Sequence, residues 1–396
     1  MKRYTLSNGL KLVVDERKAD TVSIMASVQI GSLYERGNEG ISHLLEHMVL
    51  EGTKKRKTAK EIASEIEKVG GIINAYTHQE RTCYYIKVQK KYFSLAVDIL
   101  SDVIQNAIID EKTLEKERGV ILKEINMSLD EPRIKQWISF YGALFPNSSA
   151  GNPIFGSVKS LKSITRKDLW DFYKKHYVPE NIVVGVVGDI KNAKSLISRK
   201  FSFPSGKYKI NKITDPNSKS ITKIEKVKTL NSYFVLGFKT ARRNHPDSYV
   251  LDVIKAILGR GQSGILFNEV RNKRGLVYEI GAYQESDKSF GVFLIYLNTE
   301  KKNVDLCKKI ILKELALLKK VPKKEIDEAI GYIEGSTILL HENTEKRVDD
   351  VCFWETVGDA RGINSYVNKI KRVTRADILR VVKKYFTKPT ILILER

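Results

Sequence analysis

Residues 163–188, SITRKDLWDFYKKHYVPENIVVGVVG, and residues 372–395, RVTRADILRVVKKYFTKPTILILE, are two copies of one pattern. At a constant offset Thr165, Arg166, Asp168 and Lys174-Lys175 match Thr374, Arg375, Asp377 and Lys383-Lys384. In each copy the threonine can cap a helix, and the aspartate three positions on can reach back to it, a variant of the capping box. An amphipathic helix follows, then a Pro-marked turn and a short apolar strand. One copy closes the first half of the chain and the other closes the chain itself. The 396 residues therefore read as a duplication.

The segment between the copies, FSFPSGKYKINKITDPNSKSITKIE (201–225), is rich in Pro, Gly, Ser and Lys and has little periodicity. It reads as a connection, centred on 203–222, between an N-terminal half (1–202) and a C-terminal half (223–396). In the first half, strands near 3–15 and 22–31 precede a helix that starts near residue 41. A second helix at 58–69 has Thr58 and Glu61 as a capping box and stops at Gly70-Gly71. A hairpin, IINAYT…TCYYIKV, comes next, and long helices cover about 91–107 and 111–129. Strands in pairs and helices in blocks predict an α+β fold. Each half should be a largely antiparallel sheet with helices packed on one face.

Composition bounds the function. The hydrophobic share of 42% is ordinary for a globular protein, and the length suggests two to three domains. No apolar run approaches the ~18 residues of a membrane span. MKRYTLSNGLKLVV enters strand-like alternation at once, without the apolar core of a signal peptide. The expectation is a cytoplasmic protein that does not engage a membrane. Cys83, Cys307 and Cys352 are odd in number and widely spaced, which fits reduced, buried thiols. The net charge of +22 could attract nucleic acid. Lys and Arg are nevertheless spread along the chain among acidic residues, and runs such as KKRK (54–57) lack the aromatic spacing of a strand-binding surface. Nucleic-acid binding is the weakest reading.

The helix near residue 41 holds the strongest chemical signal, His43-Leu44-Leu45-Glu46-His47, in a chain with six histidines. On a helix, positions 43, 46 and 47 share one face. Imidazoles at i and i+4 can reach one metal ion at ~2.0–2.1 Å, with the glutamate beside it to deprotonate a bound water. A solvated helix face with incidental histidines is the bland alternative, and it would suffice for a lone histidine. A third ligand should come from another rigid element. On the 111–129 helix, Glu117 and Glu124 fall on the same stripe as Leu114, Ile121 and Ile125. Carboxylates on a core-facing stripe are costly unless compensated, and a cation against that face would compensate both. GRGQSG (259–264) satisfies a dinucleotide-binding spacing but follows a helical pattern instead of a strand, so it reads as a helix-ending loop. His78, His176, His245 and His341 have no companions at ligand spacing.

HxxEH followed after a long gap by ERGVILKE resembles the inverted-motif zinc peptidases, the family of pitrilysin, insulysin and mitochondrial processing peptidase. ISHLLEHMVLEGT, GGIINAYTHQERTCYY, LEKERGVILKEI and LFNEVRNKRGLVYEIGA carry the likeness over almost the whole chain. The resemblance implies a zinc endopeptidase with His43, His47 and Glu124 as ligands and Glu46 as general base. Glu117 would be a second carboxylate near the metal. Asn74, Ala75, Tyr76 and Thr77 would form an edge strand that receives peptide, and Arg271 and Tyr278 a substrate clamp. It further implies that each chain forms half of a clamshell chamber. Insulysin-like chains have about four such units and this one has two. Because one chain carries both the metal motif and the Arg/Tyr pair, a homodimer acting on peptide substrates is expected. The main alternative is a non-catalytic assembly subunit of the same fold.

Overall fold

The computed structural model describes residues 1–204, 208, 213 and 215–396, so the expected connection at 203–222 lies partly outside the described residues. The first sheet contains β1 (Lys2–Thr5), β2 (Lys11–Glu16), β3 (Thr21–Val28), β4 (Ile72–Thr77), β5 (Thr82–Gln89) and β6 (Ile182–Gly188). Their order is β1-β2-β6-β3-β5-β4. Only β2 and β6 run parallel. The second sheet contains β7 (Thr222–Lys226), β8 (Ser232–Thr240), β9 (Val277–Ser286), β10 (Gly291–Thr299) and β11 (Thr390–Glu395), in the order β7-β11-β8-β10-β9. Here only β7 and β11 run parallel. With β1 set aside, the two orders match strand for strand. Both capping boxes of the repeat form, Thr165 with Asp168 and Thr374 with Asp377.

Period-2 alternation explains how the first sheet is covered. Val22, Ile24, Ala26 and Val28 of β3 and Val184 and Val186 of β6 face a buried apolar cluster. Helices α1 (Ile41–Leu50) and α3 (Phe93–Asn106) supply its other side through Leu44, Leu45, Met48, Val97, Leu100 and Ile104. Between them α2 (Ala59–Glu67) starts at Thr58, whose hydroxyl accepts from the Glu61 amide. Helices thus pack on one face of the sheet, as expected.

The opposite face is covered as well, by one helix drawn from the C-terminal half of the sequence. The helix Thr344–Val357 lies on β3 and β6. Gly185 of β6 makes that approach possible, because a Cβ there would sit 2.6 Å from Cys352 Sγ and 2.9 Å from Val348 Cγ2. The second sheet mirrors the arrangement. After α4 (Glu111–Asp130), α5 (Pro132–Leu144) lies on β8 and β11, and a Cβ on Gly237 would meet Phe140 Cζ at 2.6 Å. The chain accordingly divides into one unit of residues 1–126, 152–213 and 340–363 and another of 127–151, 214–339 and 364–396. Two segments cross the cut expected between residues 202 and 223. The three cysteines are buried and free. Among the described residues no helix is long and apolar enough to cross a membrane.

Candidate metal centre

Helix α1 begins without a side chain from its own N-cap. Gly40 occupies that position at φ 92°, and the carboxylate of Glu35 folds back instead. Its oxygens accept from the Gly40 amide at 2.7 Å and the Ser42 amide at 2.8 Å. This satisfies two of the orphan donors of the first turn. Burial pushes the Glu35 carboxyl up to about 7, against the pull of these amides. Leu44, Leu45, Met48 and Val49 are fully buried, so the face carrying His43, Glu46 and His47 has a fixed orientation.

Helix α4 places its carboxylates against that face. Leu114, Ile121, Ile125 and Glu117 are buried along one stripe, while the Glu124 side chain keeps 41% of its exposure. His43 Nε2 and His47 Nε2 each lie 3.9 Å from Glu124 Oε2. One donor atom from each of the three residues falls within 4.8 Å of the others. Two ligands at ~2.1 Å from one ion can be at most about 4.2 Å apart, and both 3.9 Å separations fall inside that span, so a small cation such as zinc fits between Glu124 and either histidine. Burial, with His47 adding to it, pushes His43 down to about 4 and keeps its imidazole neutral, the form that can ligate.

Glu117 stands one step back. Its Oε2 lies 3.1 Å from His47 Nδ1, and its Oε1 pairs with Lys116 at 3.0 Å. Holding Nδ1 turns Nε2 toward Glu124, the way outer carboxylates orient ligating histidines. His43 Nδ1, by contrast, is buried with no hydrogen-bond partner among the described residues.

Glu46 is buried between the helix and the sheet. Thr77 Oγ1, at the end of β4, donates to its Oε2 at 2.5 Å. Burial raises the Glu46 carboxyl, while the Thr77 hydrogen bond and His47 pull it down. Among the described residues, β4 is the last strand of its sheet and pairs only with β5. Along it Asn74 Oδ1 accepts from the Ala75 amide, and the Tyr76 hydroxyl donates to Asp349.

Arg271 and Tyr278 belong to the second unit, where the structure brings them together. The Arg271 guanidinium lies 4.7 Å from the Phe267 ring centre and 5.1 Å from that of Tyr278. Tyr278 is 75% exposed at the start of β9. GRGQSG follows the helix Asp247–Gly259, as its rejection as a dinucleotide loop requires. His176 and His341 are buried, and His341 pairs with Asp350 at 2.6 Å. Sequence reading missed Glu35 as the cap of α1, the hydroxyl of Thr77 on Glu46, and Asp349. Thr77 and Asp349 meet their partners only through the fold, whereas Glu35 lies five and seven residues before the amides it caps, a spacing that the three-residue capping box does not describe.

Two family models match the chain. One described as "Insulinase (Peptidase family M16)" covers residues 11–156, and one described as "Peptidase M16 inactive domain" covers residues 163–331. A Bacillus subtilis protein named an uncharacterized zinc protease is 30% identical over 100% of this chain and 98% of its own length. A Rickettsia felis protein of the same description is 35% identical over 87% and 85%. The beta subunit of the mitochondrial-processing peptidase of Dictyostelium discoideum is 29% identical over 96% and 86%. Among solved structures, a protease from Helicobacter pylori superposes with a TM-score of 0.93 at 23% identity, covering 100% of this chain and 99% of that one. A Pseudomonas fluorescens structure described as a peptidase M16 inactive domain gives 0.91 at 19% identity, covering 100% and 97%. These two likenesses bear on the fold alone.

Proposed function

Because the chain belongs to the insulinase family of peptidases, peptidase family M16, we propose that it is a zinc-dependent endopeptidase that hydrolyses peptides or unfolded polypeptides. The observation that carries this reading is the convergence of His43, His47 and Glu124 on one point with Glu46 beside them. His43, His47 and Glu124 would hold the zinc, which would supply Lewis acidity to acidify water and draw charge from a peptide carbonyl. Glu46 takes the proton of the attacking water at a carboxylate oxygen and returns it to the leaving amine. Thr77 fixes that carboxylate, and Glu117 keeps His47 Nε2 aimed by holding Nδ1. Asn74, Ala75, Tyr76 and Thr77 lie on an edge strand, which can accept a peptide as an added strand. Arg271 is assigned to a substrate carbonyl, and the Tyr278 hydroxyl to the charge developing on it.

Purified protein should carry about one zinc per chain and cleave unstructured peptides. Glu46→Gln should keep the zinc and lose roughly 10²- to 10⁴-fold in turnover, the usual worth of a positioned base. A wild-type protein without zinc, or a Glu46→Gln variant as active as wild type, overturns the reading.

We also propose a cytoplasmic homodimer in which Arg271 and Tyr278 serve the metal of their own chain or, if the pair acts across the dimer, that of the facing copy. Mixing Glu46→Gln chains with Arg271→Ala chains should then restore a fraction of wild-type activity, because mixed dimers regain one intact site. No recovery despite demonstrated subunit exchange removes the cross-copy assignment. A second reading, a non-catalytic subunit of this fold, draws on the inactive-domain match at 163–331. In that half the helix Asp247–Gly259, which follows β8 as α1 follows β3, contains no histidine. That match begins at residue 163, beyond α1 and α4, which together carry the donors. A zinc-loaded protein that cleaves no peptide in any mixture would favour this second reading.

A further inference from the structure

We propose that Asp349, on the helix Thr344–Val357, is a positioning residue for the general base Glu46, acting through the β4–β5 hairpin. The inference rests on the peptidase reading above. The residues of β4 alternate in direction. Ala75 packs toward the apolar cluster beneath α1, and Thr77 donates to Glu46. Tyr76, between them, points to the opposite face of the sheet and donates its hydroxyl to Asp349 Oδ1 at 2.5 Å.

Asp349 also takes hold of the other side of the turn. Its Oδ1 pairs with Arg81 Nη2 at 2.9 Å, and its backbone oxygen accepts from Arg81 Nη1 at 3.4 Å. The Arg81 guanidinium lies 5.6 Å from the Tyr76 ring centre and 5.3 Å from that of Phe353, one helical turn after Asp349. Tyr76 and Arg81 bracket the turn that the His78 amide closes onto the Arg81 carbonyl at 2.8 Å. One carboxylate therefore ties both legs of the hairpin to a helix. Burial above all pushes the Tyr76 phenol well up, so it remains a donor throughout the working range.

The geometric consequence is specific. Thr77 is the residue after Tyr76, and β4 is an edge strand with a neighbour on one side only. An edge strand frays and twists more easily than a central one. Where Thr77 Oγ1 stands relative to Glu46 then depends on what pins Tyr76 from behind. A misplacement of about 1 Å at a catalytic carboxylate is enough to cost orders of magnitude in rate. Asp349 pins the strand from the face opposite the metal, without touching substrate or metal ligands.

If Asp349 only neutralises Arg81, its loss lowers stability and leaves turnover per folded molecule unchanged. If it positions Glu46, Tyr76→Phe and Asp349→Asn should each lower kcat about tenfold, the scale of one misplaced hydrogen bond. KM should move less than about threefold, and zinc content should not change. In a Thr77→Val background neither substitution should lower kcat further, since the chain of contacts is already broken at its last link. Independently of turnover, amide exchange across residues 72–77 should quicken in Tyr76→Phe and Asp349→Asn, in metal-free protein as well. Additive losses in the Thr77→Val background, or unchanged exchange at 72–77, overturn the inference. A wild-type protein without zinc-dependent hydrolysis sinks the peptidase reading, and the exchange measurement then still decides the clamp.

Discussion

At the scale of single residues, α4 presents two carboxylates on one stripe, and the fold gives them different work. Glu124 reaches both Nε2 atoms, whereas Glu117 reaches His47 Nδ1 and Lys116. Glu124→Gln should therefore lose stoichiometric zinc. Glu117→Gln should retain it at roughly 10- to 100-fold lower affinity, as for other partners of ligating histidines. Metal titration of both variants tests this, and the reverse order would exchange their roles. The histidine pair and the shared stripe of Glu117 and Glu124 were legible in sequence because helical periodicity converts spacing into a shared face, whereas the choice of Glu124 as ligand came from the family resemblance. Thr77 and Asp349 were not, because side-chain hydrogen bonds spanning 31 and 273 residues leave no periodic trace.

At the scale of elements, the strands and helices flanking the metal motif follow from alternation, capping residues and turn residues. The helix Thr344–Val357 has no such signature of its placement, because residues on nearly every side of it are buried. Its contact with the sheet depends on the absence of a side chain at Gly185. Gly185→Ala should cost about 1–3 kcal/mol by overpacking against Cys352 and Val348. Adding Cys352→Ala should recover part of that loss. Denaturant midpoints measure both effects. A Gly185→Ala protein as stable as wild type would show that the helix can back away, and the close approach would then carry no energetic weight.

At the scale of the whole chain, the duplication was readable from Thr165/Asp168 and Thr374/Asp377, and the matching strand orders follow from it. The exchange of one helix between the halves was not readable, since each copy keeps its own complete local pattern and only the packing crosses over. Residues 1–204 lack the helix that covers Gly185, and residues 215–396 lack the one that covers Gly237. Expressed separately, each fragment should expose one apolar sheet face and aggregate. Expressed together they should copurify and bind zinc. A soluble, cooperatively unfolding 1–204 fragment would contradict this.

The same exchange bears on how such a chain could arise. A half-length ancestor encoding one copy of the pattern could cover both faces of its sheet only by trading that helix with a second molecule of itself, as domain-swapped pairs do. Gene fusion would have turned that trade between molecules into one within a single chain. It would also have freed one copy from any need for metal. The helix Asp247–Gly259, free of histidine and filled with Val250, Leu251, Ile254 and Ile257, is what such a released copy would keep.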